Sequence, residues 1–341
     1  MGKLFFTLAI GFIILVLVNL IFIFLNLVFF ANNGLDALIK GTNFIETIYL
    51  SQYLKWILLY DFVWLSALFV FLLKRKNFMT DPRLHYLTYG RIDKPRICVI
   101  IPAFNEELSI DQVINDFKNQ EFVEYVLVID NHSTDNTVDI AKRNGTTVIS
   151  KEKNMGYAHS WWLGFNEALK LDANIIVLVD SDGTFSGYDL KKMIPYLDNC
   201  DMVIGNRLVQ SLTEKNNQNN AFLVWGNSFI AKLLQLKYFS IRHLGIIQVN
   251  DVGCSFRCFR SESLKKIINE FTVSGTDELA FGCNYITVGM FTTTKAIEKN
   301  LKIVEIPITF KKRIGKSKTN ASKYSKALHY GLYMIWYILK S

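Results

Sequence analysis

Residues 4–30 are almost unbroken by polar groups, Asn19 and Asn26 being the strongly polar exceptions, and a second apolar run covers 56–73. A helix needs about 20 apolar residues to cross the hydrocarbon core of a bilayer. The pattern therefore predicts two membrane spans, at about 4–30 and 50–73, within an N-terminal hairpin over 1–76. The second run carries Asp61. An acid at that depth is costly and is usually partnered; Asn19 and Asn26, seven residues apart and so on one helix face, are the candidates, the alternative being that Asp61 lies near an interface and meets water. The first run is far longer than the roughly 7–15-residue core of a cleaved signal peptide, which favours a retained anchor.

After a linker over 77–95 the periodicity changes. Short continuous apolar runs at 96–101, 125–130, 147–150, 174–180 and 201–205 predict buried strands. Between them, helical spacing predicts helices at 110–118, with Ser109 as N-cap, and at 137–143, 157–171 and 187–197. Buried strands alternating with helices predict an α/β domain over 96–320: a Rossmann-like, mostly parallel sheet covered on both faces. The polar stretch at 214–220 (EKNNQNN) reads as a loop. Residues 221–239 and 328–339 are apolar and aromatic with sparse lysines, and predict interfacial helices, the second within a C-terminal segment over 321–341. Trp161 and Trp162 read as helix core, and 277–287 as a helix capped by Thr276.

Charge adds orientation. The 341 residues are 50% hydrophobic and carry a formal net charge of +8. Lys74, Arg75 and Lys76 close the second run and Arg83 follows, whereas 31–46 holds only Lys40. By the positive-inside rule everything after residue 73 is cytoplasmic, making this an integral membrane protein with a cytoplasmic α/β domain. The basic excess follows the membrane-proximal segments, which argues against a nucleic-acid partner. Of the five cysteines (Cys98, Cys200, Cys254, Cys258, Cys283) only the pair Cys254-x-x-x-Cys258 has metal-type spacing, without His or Cys partners at a suitable distance, and all five read as small, reduced, buried residues.

Three predicted strand ends carry unusual chemistry. They are Pro102-Ala103-Phe104-Asn105-Glu106-Glu107, then Asp130-Asn131-His132-Ser133-Thr134-Asp135, then Asp180-Ser181-Asp182. Ligands of open parallel sheets sit beyond the carboxyl ends of the strands, so these ends converge on one crevice. Residues two apart on an extended chain point the same way, so Asp180 and Asp182 face one spot. Paired carboxylates repel unless a proton or cation intervenes. Mg²⁺ takes few carboxylates together with substrate phosphates. The other reading of "DSDG" is a solvated turn. His132 reads as a turn residue, and Glu106 and Glu107 have the alternative role of first-turn acids.

The ordered motifs VIIPAFNEE, VLVIDNHSTDNT, KNMGYAHSWWLGF, VDSDGTF, MVIGNR, DVGCSFRCFR and VEIPITFKKRIGKSK resemble the family 2 glycosyltransferases of GT-A fold, in particular the polyprenyl-phosphate sugar synthases of dolichyl-phosphate mannose or glucose type. The resemblance spans about 96–318. It implies a nucleotide pocket lined by Pro102, Ala103, Asn105 and Glu106, with Asp130 on the base, Asn154 and Gly156 close to the nucleoside, and Ser181 between the two aspartates. It implies Mg²⁺ or Mn²⁺ held by Asp180 and Asp182. Thr184 stands where the family often has Gln, which puts a third side-chain ligand in doubt.

On the acceptor side Arg207 and Arg257 are candidate phosphate ligands. Residues 310–326 hold Lys311, Lys312, Arg313, Lys316, Lys318, Lys323 and Lys326 with no acid among them. Arg313, Lys316 and Lys318 read as phosphate-binding, and Lys323 and Lys326 as membrane-surface charges. The resemblance implies metal-dependent, inverting transfer of one sugar from a UDP- or GDP-sugar to a polyprenyl phosphate. Asp182, Arg207 and Arg257 are its candidate catalytic groups, and the anchor is compatible with a homo-oligomer. Asp277 and Glu278 are candidate bases for the alternative, transfer to a lipid hydroxyl or lipid-linked saccharide. An inactive binding subunit is the other alternative.

Overall fold

The apolar N-terminal runs fold as two helices, α1 (Gly2–Lys40) and α2 (Gln52–Lys74). The computed structural model describes residues 2–40, 52–74, 90–238, 247, 249–271, 284, 286–318 and 324–340. By contacts the chain divides into two units, 1–79 with 236–246 and 80–235 with 247–341.

In the first unit, Asn19 Nδ2 donates to Asp61 Oδ2 at 3.3 Å and Trp64 Nε1 to the Gly11 carbonyl at 3.1 Å. Asn19 is thus the partner of Asp61. Asn26 donates to its own helix, at the Phe22 carbonyl. Among the described residues one helix segment, Gly11–Phe29, is long and apolar enough to span a membrane, and its side chains are not buried. α1 runs on to Lys40 instead of ending near residue 30. The added stretch has no proline, and Leu35, Ala37 and Leu38 are good helix formers.

The second unit alternates strands and helices: β1 (Ile97–Ala103), α3 (Ile110–Lys118), β2 (Val123–Asp130), α4 (Thr137–Arg143), β3 (Thr147–Ser150), α5 (Tyr157–Ala168) and β4 (Ile175–Leu178). Next come a short helix α6 (Leu190–Met193), β5 (Met202–Asn206), α7 (Ala221–Lys237), β6 (Arg257–Arg260), α8 (Ser261–Ile268), α9 (Val288–Glu298), β7 (Ile303–Pro307) and α10 (Tyr324–Lys340). The helix expected over 187–197 is one α-turn between two 3-10 segments, with Pro195 opening the second. The helix expected over 277–287 lies mostly outside the described residues; α9 begins at Val288, with Thr287 at its N-cap.

The seven strands run in the order β3-β2-β1-β4-β6-β5-β7. All neighbours are parallel except β6, which is antiparallel to both β4 and β5. The mostly parallel sheet is as expected; β6 and β7 are additions to it. The chain winds outward from β1 through β2 to β3, then returns to the other side of β1 as β4. The order therefore reverses between β1 and β4, the switch point at which such sheets bind ligands. Because β6 runs backwards, its start lies beside the carboxyl end of β4, with Leu178 opposite Arg257. The loop before β6 is thereby delivered to the same edge.

Every residue of β1 is buried, and α5 packs on it through Gly164. A Cβ there would sit 2.4 Å from Ile100 Cγ2. Gly164→Ala is therefore expected to cost about 1–3 kcal/mol by overpacking, read as a lower unfolding midpoint. Gly226→Ala in α7, with nothing within 4 Å of the new atom, should be neutral or slightly stabilising.

Candidate active site

The carboxyl ends of β1, β2 and β4 meet as expected. Asn105 and His132 hold left-handed backbones, at φ 52° and 69°, in turns tied together across the crevice. Asn105 N donates to Ser133 Oγ and Thr134 N to Asn105 Oδ1. Asp130 is buried, and its Oδ1 accepts the Ser133 N–H at 3.0 Å, closing its own turn. The neighbouring Asn131 instead lines the cavity with Asn154 and Gly156. It donates to Asn154 Oδ1 at 2.7 Å and accepts from the buried ammonium of Lys151 at 2.9 Å. Lys151 also donates to Ser160 Oγ, locking the loop before α5. Ser109 sits at the start of α3 without capping it; its hydroxyl donates to the Ser181 carbonyl at 2.7 Å.

Asp180 accepts from the Tyr157 hydroxyl, and from Ser255 Oγ in the loop before β6. Burial, then the nearby charge of Asp182, pushes its carboxyl up to about 6, although both hydroxyl bonds pull the other way. Asp182 is buried, and Thr184 orients it: the Thr184 hydroxyl and N–H both reach Asp182 Oδ1, at 2.6 and 3.1 Å. Gly183 turns between them at φ 78°, where a Cβ would lie 2.8 Å from Ile314 Cδ1.

Ile314 belongs to the segment after β7, which straps across the site. Its N–H bonds the Asp182 carbonyl at 2.9 Å, and the Lys311 N–H bonds that of Thr184 at 2.8 Å. The strap sets Arg313 between two carboxylates, Nη1 to Asp182 Oδ2 at 2.6 Å and Nη2 to Glu106 Oε1 at 2.5 Å. Lys318 donates to the same Glu106 oxygen at 2.7 Å and to the carbonyls of Phe104 and Asn105. Lys316 is exposed. Lys323, Asp277, Glu278 and Cys283 lie outside the described residues; the other four cysteines are buried and unpaired.

Arg207, just past β5, forms a two-pronged pair with Asp251 at 2.7 and 2.8 Å. Burial opposes both charges, but their mutual attraction outweighs it, leaving the guanidinium more basic and the carboxyl more acidic than usual. Glu305 of β7 holds that turn by accepting the N–H groups of Asn250 and Asp251. Arg257 is not brought to the cavity wall. It is 0% exposed, bonded to the Cys254 carbonyl and Thr293 and set over the Trp161 ring. Burial lowers it to about 10. Trp161 is 1% exposed, core as expected, though its ring edges the cavity.

Asp180, Asp182, Arg207 and Arg313 wall two cavities at once. One, of about 570 Å³, extends toward Pro102, Ala103, Asn131 and Gly156. The other, of about 630 Å³, extends between α7 and α10 past Asn217, Gln218, Leu223 and Met334. Sequence reading gave no role to Tyr157, Ser255 and Asp251, and none to Asn131 beyond its place in a strand end. All of them act through partners far away in the chain, and only their place in the quoted motifs marked them.

A divalent cation fits this donor set. Two carboxylates stand at one strand end over an open cavity, and a guanidinium already occupies one of them as a stand-in cation. Among the described residues no third acid, His or Cys joins them, so the remaining ligands would come from a bound phosphate or water.

The family described as Glycosyl transferase family 2 matches residues 98–268, half of the chain. The chain is 31% identical to the uncharacterized protein MJ1222 of Methanocaldococcus jannaschii, over 64% of this chain and 83% of that one. It is 26% identical to the polyprenol monophosphomannose synthase of Mycolicibacterium smegmatis, over 68% of this chain and 84% of the relative. It is 25% identical to the undecaprenyl-phosphate mannosyltransferase of Micrococcus luteus, over 68% and 91%.

Proposed function

The chain belongs to glycosyltransferase family 2, its α/β domain being GT-A-like, and from that premise we propose that it transfers one sugar from a UDP- or GDP-sugar to a polyprenyl phosphate at a membrane face. The names of two similar relatives, which act with polyprenol and undecaprenyl phosphate, support this acceptor class. The observation that carries the reading is the shared wall. A cavity of mixed polar and apolar lining, suited to a nucleotide, and a cavity flanked by apolar helices adjoin at the same four charged side chains.

In this reading the nucleoside lies along Pro102, Ala103, Asn154 and Gly156, with Asn131 and Lys151 holding the loop to shape. Asp180 and Asp182 would hold Mg²⁺ or Mn²⁺, which when bound offsets the charge of the departing diphosphate. Arg313 and Lys318 exchange their carboxylate partners for diphosphate oxygens as the donor enters. Arg207 stands at the shared wall, fixed there by Asp251. The acceptor phosphate is anionic near neutral pH, so attack on the anomeric carbon needs no strong base. Approach from the second cavity, opposite the diphosphate, inverts that centre.

The helices flanking the second cavity suit a membrane surface. Phe222, Trp225 and Phe229 are exposed along α7, and Tyr324, Leu328, Leu332 and Trp336 recur every fourth residue along α10. Phe222 and Tyr324 meet edge to face at 5.6 Å, which joins the two stripes. With α1 as a span and the basic residues after α2 facing inward, the α/β unit would lie at the cytoplasmic surface.

The test uses full-length protein in detergent with labelled UDP- and GDP-sugars, Mg²⁺ or Mn²⁺, and either a short polyprenyl phosphate or the matching polyprenol. The expected result is metal-dependent label in the extracted lipid with the phosphate and none with the alcohol. Product with the alcohol alone, or no lipid product while nucleotide sugar binds, would overturn the reading.

A further inference from the structure

Arg257 carries its charge in the core without a counter-charge. The side chain is fully buried, and among the described residues its partners are neutral. Nε donates to the Cys254 carbonyl and Nη1 to Thr293 Oγ1, each at 2.8 Å, while Nη2 has no hydrogen-bond partner. The Trp161 ring, its centre 5.7 Å from Cζ, offsets part of the charge. A buried, unpaired guanidinium is costly, and an apolar side chain of similar length would fill the same space more cheaply. The fold keeps the cation all the same, and its neighbours show what it holds.

Three elements meet on the guanidinium. The Cys254 carbonyl belongs to the loop before β6, and the next residue in that loop is Ser255. Trp161 belongs to α5, one turn after Tyr157, and the two rings pack edge to face at 5.7 Å. Thr293 belongs to α9. A Cβ on Gly289, one turn earlier in that helix, would lie 3.2 Å from Nη2, so the missing side chain makes room for the guanidinium. Two of these elements end on the same carboxylate. Ser255 Oγ donates to Asp180 Oδ2, and the Tyr157 hydroxyl donates to Asp180 Oδ1. Asp180 is thus aimed by two hydroxyls, and both rest on Arg257, one through the adjoining residue and the other through a ring contact. Each carboxylate oxygen keeps a second lone pair for a cation. Groups that orient a ligating carboxylate in this way change metal affinity by about 10–100-fold when lost.

Resting on the aspartate-pair cation site of the transferase reading above, we propose that Arg257 is a positioning residue for the metal: it holds Ser255, through the Cys254 carbonyl, and Tyr157, through Trp161, so that Asp180 meets the cation in a fixed orientation.

The test reads metal binding and stability, independent of any lipid acceptor. Full-length protein in detergent, with UDP present and then with GDP, is titrated with Mn²⁺ and followed by the Mn²⁺ electron paramagnetic resonance signal. The unfolding midpoint is taken without metal. Arg257→Met is expected to bind Mn²⁺ about tenfold more weakly, and Ser255→Ala likewise. Because the two residues act in series, the double variant is expected to stay within about twofold of Arg257→Met, whereas independent losses would multiply to about a hundredfold. Arg257→Lys keeps a cationic donor for the Cys254 carbonyl and is expected to recover Mn²⁺ affinity to within about threefold of wild type. The metal-free unfolding midpoint of Arg257→Met is expected to hold or rise, because the uncompensated charge is gone. Unchanged Mn²⁺ affinity in Arg257→Met, or multiplying losses in the double variant, overturns the proposal. So does an Arg257→Met protein that fails to fold or melts well below wild type, since Arg257 would then be a core-filling residue. A wild type that binds no Mn²⁺ beside either nucleotide overturns the proposal together with the metal site. A wild type that shows this coupling yet labels no polyprenyl phosphate would retire the acceptor reading and leave this one standing.

Discussion

Asp182→Asn is expected to lower lipid labelling by about 10³-fold or more, a loss of roughly 4 kcal/mol in transition-state stabilisation. The reason lies in what the side chain faces. Asp182 is buried, its Oδ1 is fixed by two bonds from Thr184, and its Oδ2 is directed at a cation, in this structure Arg313. The amide keeps the size and the Thr184 contacts but loses the charge, so the fold should survive while divalent-cation activation disappears. Retained activity in Asp182→Asn at ordinary Mn²⁺ concentration would remove the aspartate pair from the mechanism. The same pair sets a pH dependence. Asp180 is pushed up to about 6, first by burial and then by Asp182, so below that pH it is increasingly a neutral acid and a poor ligand for a hard cation. The Mn²⁺ activation midpoint should therefore rise about tenfold per unit as pH falls below about 6, and stay flat above it. The stability sign is opposite for the metal-free protein. An acid with a raised folded pKa contributes stability below its ordinary value and loses it as pH climbs through about 6. Mn²⁺ should accordingly raise the unfolding midpoint more at pH 8 than at pH 5.5.

Local pattern carried the frame of the site because each buried strand ends abruptly in chemistry. IIVLVDSD and YVLVID read as strands from their apolar runs, and in the parallel sheet their carboxyl ends come to the same edge, with Asp180 and Asp182 at the switch point and Asp130 one strand away. The bounds of α3, α4 and β3 agree with the periodicity, since each is closed by polar or turn residues on both sides. The strands β6 and β7 were illegible for a physical reason. RCFR and IVEIP are four and five residues long and place charges among the apolar positions, so neither alternation nor a continuous run stands out. What made Arg257 resemble a phosphate ligand, a guanidinium near a strand end, is undone by the antiparallel pairing that tucks it under Trp161. The partners that tune the site are equally nonlocal. Ser255 reaches Asp180 across 75 residues and Arg313 reaches Glu106 across 207, distances at which composition carries no information about contact.

Arg313→Ala is the second large effect, and it should move two observables in opposite directions. Transfer is expected to fall about 10²–10³-fold, the usual loss when a preorganised donor to developing charge is removed. The divalent-cation midpoint is expected to move several-fold lower. In the metal-free site the guanidinium already neutralises Asp182 and Glu106, with its Nε buried and unpartnered, so an incoming cation must compete with it. Removing it leaves Asp180 and Asp182 as mutually repelling carboxylates with open coordination, which raises their affinity for a divalent ion. Arg313→Lys separates charge from geometry. A single ammonium cannot bridge both acids as the planar fork does, so activity should be intermediate and the midpoint near wild type. The strap itself should hold in all three proteins, because the Ile314 and Lys311 N–H groups anchor it through main chain to Asp182 and Thr184. A midpoint that rises in Arg313→Ala would mean that Arg313 helps recruit the cation, by shaping the carboxylates or drawing in the donor. The exchange of its bonds from carboxylate to diphosphate would then have to be abandoned.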